Sequence, residues 1–291
     1  MTRQTAAAAS NRLPSAMHTV TAPADRLGPL LGAGRTAEVF GWDATHVLKL
    51  YRAEMPRAWV ESEVRTEAHI AHIVLATGLP APATGDTLVE IDGRLGIVYT
   101  RVDGPSMLDA MAQQPEMAPA LAANFGDLHA AMHGCAAPAL PTQRAALARA
   151  IDYAPALTAH QKQRVHQRLA QLTDGGTLCH GDFHPGNILL TAQGPVIIDW
   201  VTACRGNPVA DVARTTLLFR IARAPVEDVT RRVAIEQVRQ HFYTEYLSAY
   251  QLRRPFAPAQ LDAWLPVLAA ARLGEQIDGE EEPLLEMVDQ L

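Results

Sequence analysis

The sequence predicts an α+β chain in two parts, a strand-rich first third followed by a helical remainder that one small hairpin interrupts. Three observations carry this expectation. Short apolar runs at 28–31, 37–41 and 46–51, then at 87–91 and 96–102, are punctuated by glycine or aspartate and read as a sheet of roughly five antiparallel strands. Beyond Pro105 apolar residues recur at helical spacing, giving candidate helices at 106–113, 117–133, 142–153, 158–172, from about 207, and at 226–250, 258–277 and 281–290. Between them, the partly β-branched runs 187–190 and 196–198 are joined by a turn at Gln193 and Gly194.

Composition bounds the function. With 291 residues, 48% of them hydrophobic and 19% charged, the chain can bury a sizeable core in one large or two modest domains. A formal net charge of −6 offers no basic stripe for nucleic acid. Cys135, Cys179 and Cys204 have no paired spacing, which suits reduced thiols in the cytoplasm. No apolar run reaches the length of a membrane span, and no charged-then-apolar signal peptide opens the chain. Oligomeric state leaves no mark in the sequence. Residues 1–25, rich in Ala, Thr and Ser and without sustained period, read as a flexible leader. Residues 26–104 then form the strand-rich domain and 105–291 the helical one.

Within the first domain the turn LGAGRTAEVF carries Gly32 and Gly34, whose missing side chains would let backbone N–H groups approach phosphate oxygens. A glycine pair in a hairpin is also a common structural device. No Gly-Lys-Ser/Thr follows, and a strand rather than a helix comes next, so neither a P-loop nor a dinucleotide fingerprint fits. Lys49 sits in the apolar strand VLKLY, where an ammonium needs an anion. The next segment, 56–77, has helical spacing, starts near Pro56 and stops at Gly78. It offers Glu61, Glu63 and Glu67 as partners for that lysine, each of which could equally be a solvated helix face.

The chemistry concentrates in LCHGDFHPGNILLTAQGPVIID, residues 178–199. A kinase needs a carboxylate to receive the acceptor hydroxyl and two oxygen-bearing side chains to hold magnesium against the phosphates. Asp182, Asn187 and Asp199 fit in that order, and the hairpin would bring Asn187 and Asp199 together. His180 reads as a structural residue that hydrogen-bonds backbone around the loop. His180, Asp182 and His184 could alternatively ligate a hydrolytic metal, but the sequence shows no second His/Asp cluster at ligand spacing to complete such a site.

From 27 onward the chain resembles the aminoglycoside phosphotransferase and choline kinase family, relatives of the protein kinases that carry HGD where those carry HRD. The resemblance implies a bilobal protein-kinase-like fold, with ATP (GTP not excluded) and Mg2+ bound between the lobes. It implies Asp182 as the catalytic base and Asn187 and Asp199 as metal ligands. Gly32, Gly34, Arg35 and Thr36 then belong to the loop covering the nucleotide, and Lys49 meets the phosphates. The family's pattern of a Glu, a helix and a Gly-Leu-Pro-x-Pro exit matches EAHIAHIVLATGLPAP, which favours Glu67 as the lysine's partner over Glu63. The backbone of Thr100, Arg101 and Val102 would meet the adenine ring. Asp211, in the first turn of the helix after the hairpin, aligns with an Asp that braces the catalytic loop. Trp200 and Val201 follow Asp199 where protein kinases have Phe and Gly, which argues against a regulated flip.

The expected activity is transfer of a γ-phosphate to a hydroxyl of a small molecule: an antibiotic, amino alcohol, sugar or related metabolite. An atypical protein Ser/Thr kinase is the alternative, disfavoured because 200–208 is too short for an activation loop. A catalytically silent nucleotide-binding scaffold is the other, disfavoured because every catalytic position is filled. Glu275, Asp278, Glu280, Glu281 and Glu282 form an acidic tail that would suit a polycationic acceptor, or is simply a solvated face.

Overall fold

The computed structural model describes residues 17–222 and 228–291. The chain forms two compact units: one runs to His72 and resumes over Pro82–Arg101, and the other comprises Ile73–Ala81 and Val102–Leu291. The expected boundary at 104/105 is therefore corrected to follow Arg101. The end of the first long helix and its exit loop group with the second unit, where the N–H of Ile197 donates to Pro80 O at 2.8 Å.

The first unit is a six-stranded sheet with one helix. In chain order these are β1 (His18–Thr21), β2 (Leu30–Ala33), β3 (Ala37–Gly41), β4 (His46–Tyr51), α1 (Arg57–Ala76), β5 (Thr84–Ile91) and β6 (Arg94–Thr100). The sheet order is β1-β5-β6-β4-β3-β2. All neighbours are antiparallel except β1, which runs parallel to β5 with His18 opposite Thr87 and Thr21 opposite Glu90. Two expectations are thus corrected: the sheet is mixed rather than antiparallel, and the leader read as flexible to Asp25 joins the sheet from His18. A β-branched stretch such as HTVT suits an edge strand, yet all four residues are exposed, so no apolar alternation marks it. Residues 1–16 of that leader lie outside the described residues. Period-two alternation sorts the sheet's faces: Tyr51, Leu88, Leu95 and Ile97 pack with Val60, Val64 and Ala68 of α1, whereas Leu48, Leu50, Val89 and Ile91 form a second cluster with Ala22.

The second unit contains α2 (Met107–Gln113), α3 (Ala118–Met132), α4 (Gln143–Tyr153) and α5 (Ala159–Gln171), followed by β7 (Thr177–Cys179), β8 (Ile188–Thr191), β9 (Gly194–Ile197) and β10 (Cys204–Gly206). Helices α6 (Pro208–Ile221), α7 (Val229–Arg253), α8 (Pro258–Leu273) and α9 (Glu281–Asp289) complete it. Helix starts follow capping chemistry: Thr158 and Gln161 form a reciprocal box, and Asn207 Oδ1 accepts the N–H of Val209 with Pro208 in the first helical position. The expected helix at 258–277 ends at Leu273, and residues 226–227 of the expected seventh helix lie outside the described residues. Helices α3 and α7 approach closely at Gly126, where a Cβ would sit 2.6 Å from Tyr246 O and 2.8 Å from Ala249 Cβ. No helix among the described residues is long and apolar enough to cross a membrane.

Candidate active site

Alternation in β4 turns Lys49 and Tyr51 toward the α1 face while Leu48 and Leu50 enter the opposite cluster. Lys49 Nζ donates to Glu67 Oε1 at 2.7 Å, Tyr99 OH donates to the same oxygen at 3.0 Å, and Tyr51 OH donates to Oε2 at 2.6 Å. Glu67 is 3% exposed, so its charge is held by three donors rather than by water. Glu61, one of the other candidates, pairs on the surface with Arg57 at 2.8 Å, and Glu63 is half-buried. Gly32 lies in β2 opposite Val39, and Gly34, Arg35 and Thr36 make the turn into β3, with Gly34 N–H donating to Ala37 O at 2.8 Å. A Cβ at Gly32 would meet no atom within 4 Å, so packing does not demand glycine there. The N–H groups of Thr100 and Arg101 donate to Ala83 O and Thr45 O, both at 2.8 Å. They are taken by residues that immediately precede β5 and β4, which narrows the donors expected at an adenine edge to Val102.

In the second unit, strands β7 and β10 pair with Cys179 directly opposite Cys204 and deliver the loop that begins at His180. Both thiols are free and buried. Gly181 has φ of 81°, a left-handed conformation, and a Cβ there would lie 2.8 Å from Thr202 O, so the HGD glycine is required by backbone and by space. His180 is buried; its Nδ1 accepts the N–H of Asp182 at 3.2 Å, which leaves the proton on Nε2 to donate to Ile198 O at 3.1 Å. Burial pushes its pKa down and keeps the ring neutral. Asn187 Nδ2 donates to the carbonyl of Asp182 at 3.0 Å, so the side-chain oxygen of Asn187 is not the atom used in that bond. Hairpin β8–β9 sets Ile188 opposite Ile197, and Ile198 N–H donates to Asn187 O at 2.9 Å; Asn187 and Asp199 thereby flank the base of one hairpin. Asp199 is exposed and adopts φ 60° and ψ 56°, an uncommon backbone for a non-glycine residue. Trp200 beside it is buried and donates from Nε1 to Ile197 O at 3.0 Å.

Beneath the loop, Asp211 of α6 is fully buried. Its Oδ2 accepts the N–H of His180 at 2.7 Å and its Oδ1 that of Gly181 at 2.8 Å. Oδ2 also accepts from Nε2 of His129 and of His133, each at 3.2 Å, and the Nδ1 atoms of those rings pair with Tyr246 OH at 2.9 Å and Tyr250 OH at 2.7 Å. Burial opposes the charge of Asp211, but hydrogen bonds from His129 and His133 outweigh it and hold the carboxyl well below the usual range. Burial, then the neighbouring His133, lowers His129 to about 3, so this ring is neutral. The expectation of no second His/Asp cluster is corrected here: His129, His133 and Asp211 come together. The two histidines stand four apart on α3, one face of a helix, but Asp211 is distant in sequence. Each of their facing atoms is committed to the hydrogen bonds above, so the cluster needs no ion to be satisfied.

The sequence reading missed Arg214, one turn beyond Asp211. Its Nε donates to Gly181 O at 3.2 Å, and its Nη2 donates to Asp182 Oδ1 at 3.2 Å and to Glu275 Oε1 at 2.7 Å. His184 Nε2 lies 3.5 Å from Asp182 Oδ2. Burial opposes ionisation of Asp182, but the neighbouring His184 ring and the Arg214 charge outweigh it and keep the group a carboxylate. Arg272 pairs with Glu275 Oε2 and with both oxygens of Glu280, at 2.7 and 2.9 Å. Two members of the acidic tail are therefore bound to arginine rather than presented as a free face.

A family model for the phosphotransferase enzyme family matches residues 31–264. No curated protein matches the chain by sequence. Among solved structures the chain is similar to the amicoumacin kinase hAmiN in complex with AMP-PNP, Ca2+ and Ami, at 16% identity over 92% of this chain and 88% of that one, with a TM-score of 0.60. It is similar to a thermostable mutant of aminoglycoside phosphotransferase APH(4)-Ia in a ternary complex with ADP and hygromycin B, at 16% identity, 91% and 93% coverage and a TM-score of 0.59. A choline/ethanolamine kinase family protein from Mesorhizobium loti matches at 19% identity, 92% and 86% coverage and a TM-score of 0.54. At these identities the likeness is one of fold, and the fold is the α+β, protein-kinase-like one.

Proposed function

Because this chain belongs to the phosphotransferase enzyme family, we propose that it transfers the γ-phosphate of ATP, with Mg2+, to a hydroxyl of a small molecule in the cytoplasm. The observation that carries this reading is the braced loop: Asp211 grips the N–H groups of His180 and Gly181, and Asn187 is tied to the carbonyl of Asp182. Such bracing fixes a carboxylate beside two oxygen donors, which is what in-line phosphoryl transfer asks of a protein. Asp182 receives the hydrogen bond of the acceptor hydroxyl, whose oxygen attacks the γ-phosphorus as the bond to the β-γ bridging oxygen breaks and ADP departs. Because Asp182 is held as a weakly basic carboxylate, it orients the hydroxyl first and takes its proton late. The Asn187 side-chain oxygen and the Asp199 carboxylate suit a hard, oxygen-seeking cation. Magnesium bound there would neutralise charge on the phosphates. Lys49, restrained by Glu67, is assigned to the phosphates, Gly32, Gly34, Arg35 and Thr36 to covering them, and Val102 to the adenine edge.

Small acceptors are favoured over protein ones by the stretch after Asp199. The turn Trp200–Thr202, strand β10 and the cap Asn207 occupy it up to α6, which leaves no activation loop. Structural relatives solved with hygromycin B or Ami make antibiotics a first class to test; amino alcohols and sugars complete the acceptor classes. The test is ADP release from Mg-ATP over a panel of aminoglycosides, macrolides, amino alcohols, sugars and a generic protein. A small-molecule hit is expected. Mg-ATP binding with no ADP above the blank for any member would instead support a silent scaffold.

A further inference from the structure

Asp182 is connected to the far end of the chain by an alternating series of charges. Arg214, 8% exposed, reaches Asp182 Oδ1 at 3.2 Å and Glu275 Oε1 at 2.7 Å; Arg272 then binds Glu275 Oε2 and both oxygens of Glu280. A buried guanidinium is ordered only when its donors are matched by acceptors. Here the acceptors come from the catalytic loop, through Gly181 O and Asp182, and from the segment between α8 and α9, through Glu275. The other oxygen of Asp182 is placed differently. His184 Nε2 lies 3.5 Å from it, beyond a good hydrogen bond.

We propose that Arg214 is a positioning residue for phosphoryl transfer: suspended from Glu275, it fixes the Asp182 carboxylate through Oδ1 and so reserves Oδ2 for the acceptor hydroxyl. The proposal rests on the reading of Asp182 as the acceptor-binding carboxylate. It also gives the acidic tail a role other than cation capture. Glu275 and Glu280 spend their four carboxylate oxygens on Arg214 and Arg272, so their work is to hold the base in place whatever the acceptor. Arg214→Lys keeps the charge but cannot fork to Gly181 O, Asp182 and Glu275 together, and is expected to behave like Arg214→Met rather than like the wild type.

The experiment measures ADP release from Mg-ATP, with the best acceptor of the panel or, failing one, with water, for the wild type, Arg214→Met, Arg214→Lys, Glu275→Gln, the Arg214→Met/Glu275→Gln double variant and Asp182→Asn. Mg-ATP binding and thermal unfolding are followed in parallel. Arg214→Met and Arg214→Lys are expected to lose turnover by about 100-fold, as a displaced catalytic group does, with nucleotide affinity unchanged. Glu275→Gln should lose less, and the double variant no more than Arg214→Met alone. Folded Arg214 variants with turnover within about twofold of the wild type, or a loss that is additive with Glu275→Gln, would overturn the proposal. The outcome in which Asp182→Asn is silent and Arg214→Met is active removes the positioning role alone. Turnover by Asp182→Asn removes the reading beneath it, as would a wild type that releases no ADP with any acceptor or with water.

Discussion

Glu67 shows how one side chain decides a local arrangement: two tyrosine hydroxyls and the Lys49 ammonium all donate to a carboxylate that is 3% exposed. Glu67→Ala removes the acceptor from under buried donors and is expected to cost about 1–3 kcal/mol of unfolding free energy. It should also weaken Mg-ATP binding by releasing Lys49, whereas Glu63→Ala should cost less than about 1 kcal/mol and leave nucleotide binding intact. Urea unfolding and nucleotide titration of the two variants check this, and the reverse ranking would move the lysine's partner by one turn. From sequence, the three glutamates of α1 could be told apart only by the Gly-Leu-Pro-x-Pro exit that follows, because all three lie on one helix and burial leaves no mark on residue type. Arg214 was illegible for the same reason. It sits in VARTTLLFR, where an arginine reads as a polar face, and only the return of Glu275 on the segment between α8 and α9 reveals its partner.

At the scale of elements, the loop that begins at His180 is held by the packing of α3 on α7. Phe125 stacks on Phe183 at 4.4 Å and His129 on Phe183 at 4.1 Å, while the histidine–tyrosine pairs link α3 and α7 to Asp211. Gly126 permits that approach, so Gly126→Ala must push the helices apart, at an expected cost of about 1–3 kcal/mol in urea unfolding. Gly126→Ala with unchanged stability would show that α7 shifts without resistance. Helix periodicity and caps made α2 to α6 readable almost to the residue, because capping side chains act locally. The parallel edge strand β1 was not readable: its four residues are all exposed, and its pairing with β5 depends on residues about seventy positions away.

At the scale of the molecule, the buried histidines set the response to acid. Neutral His129, lowered to about 3, and neutral His180, also lowered, must take up protons on unfolding at any pH between their folded values and the ordinary histidine value near 6.5. The unfolded state then binds more protons, so stability falls as pH drops through that window, by up to about 1.4 kcal/mol per pH unit for each ring. Urea unfolding at pH 7 and pH 5 should show this loss, and equal stability at both would contradict neutral burial. The two-unit division and most elements were legible because strand and helix periods differ, but the boundary after Arg101 depends on the tether from Ile197 to Pro80, a contact with no sequence signature. The proposed function requires Asp182 to act in transfer rather than in nucleotide binding. Mg-ATP affinity and ADP release, measured side by side on the wild type and Asp182→Asn, test that most directly. The expected result is unchanged affinity with turnover reduced by about a thousandfold or more, whereas near-normal turnover in the variant would contradict it.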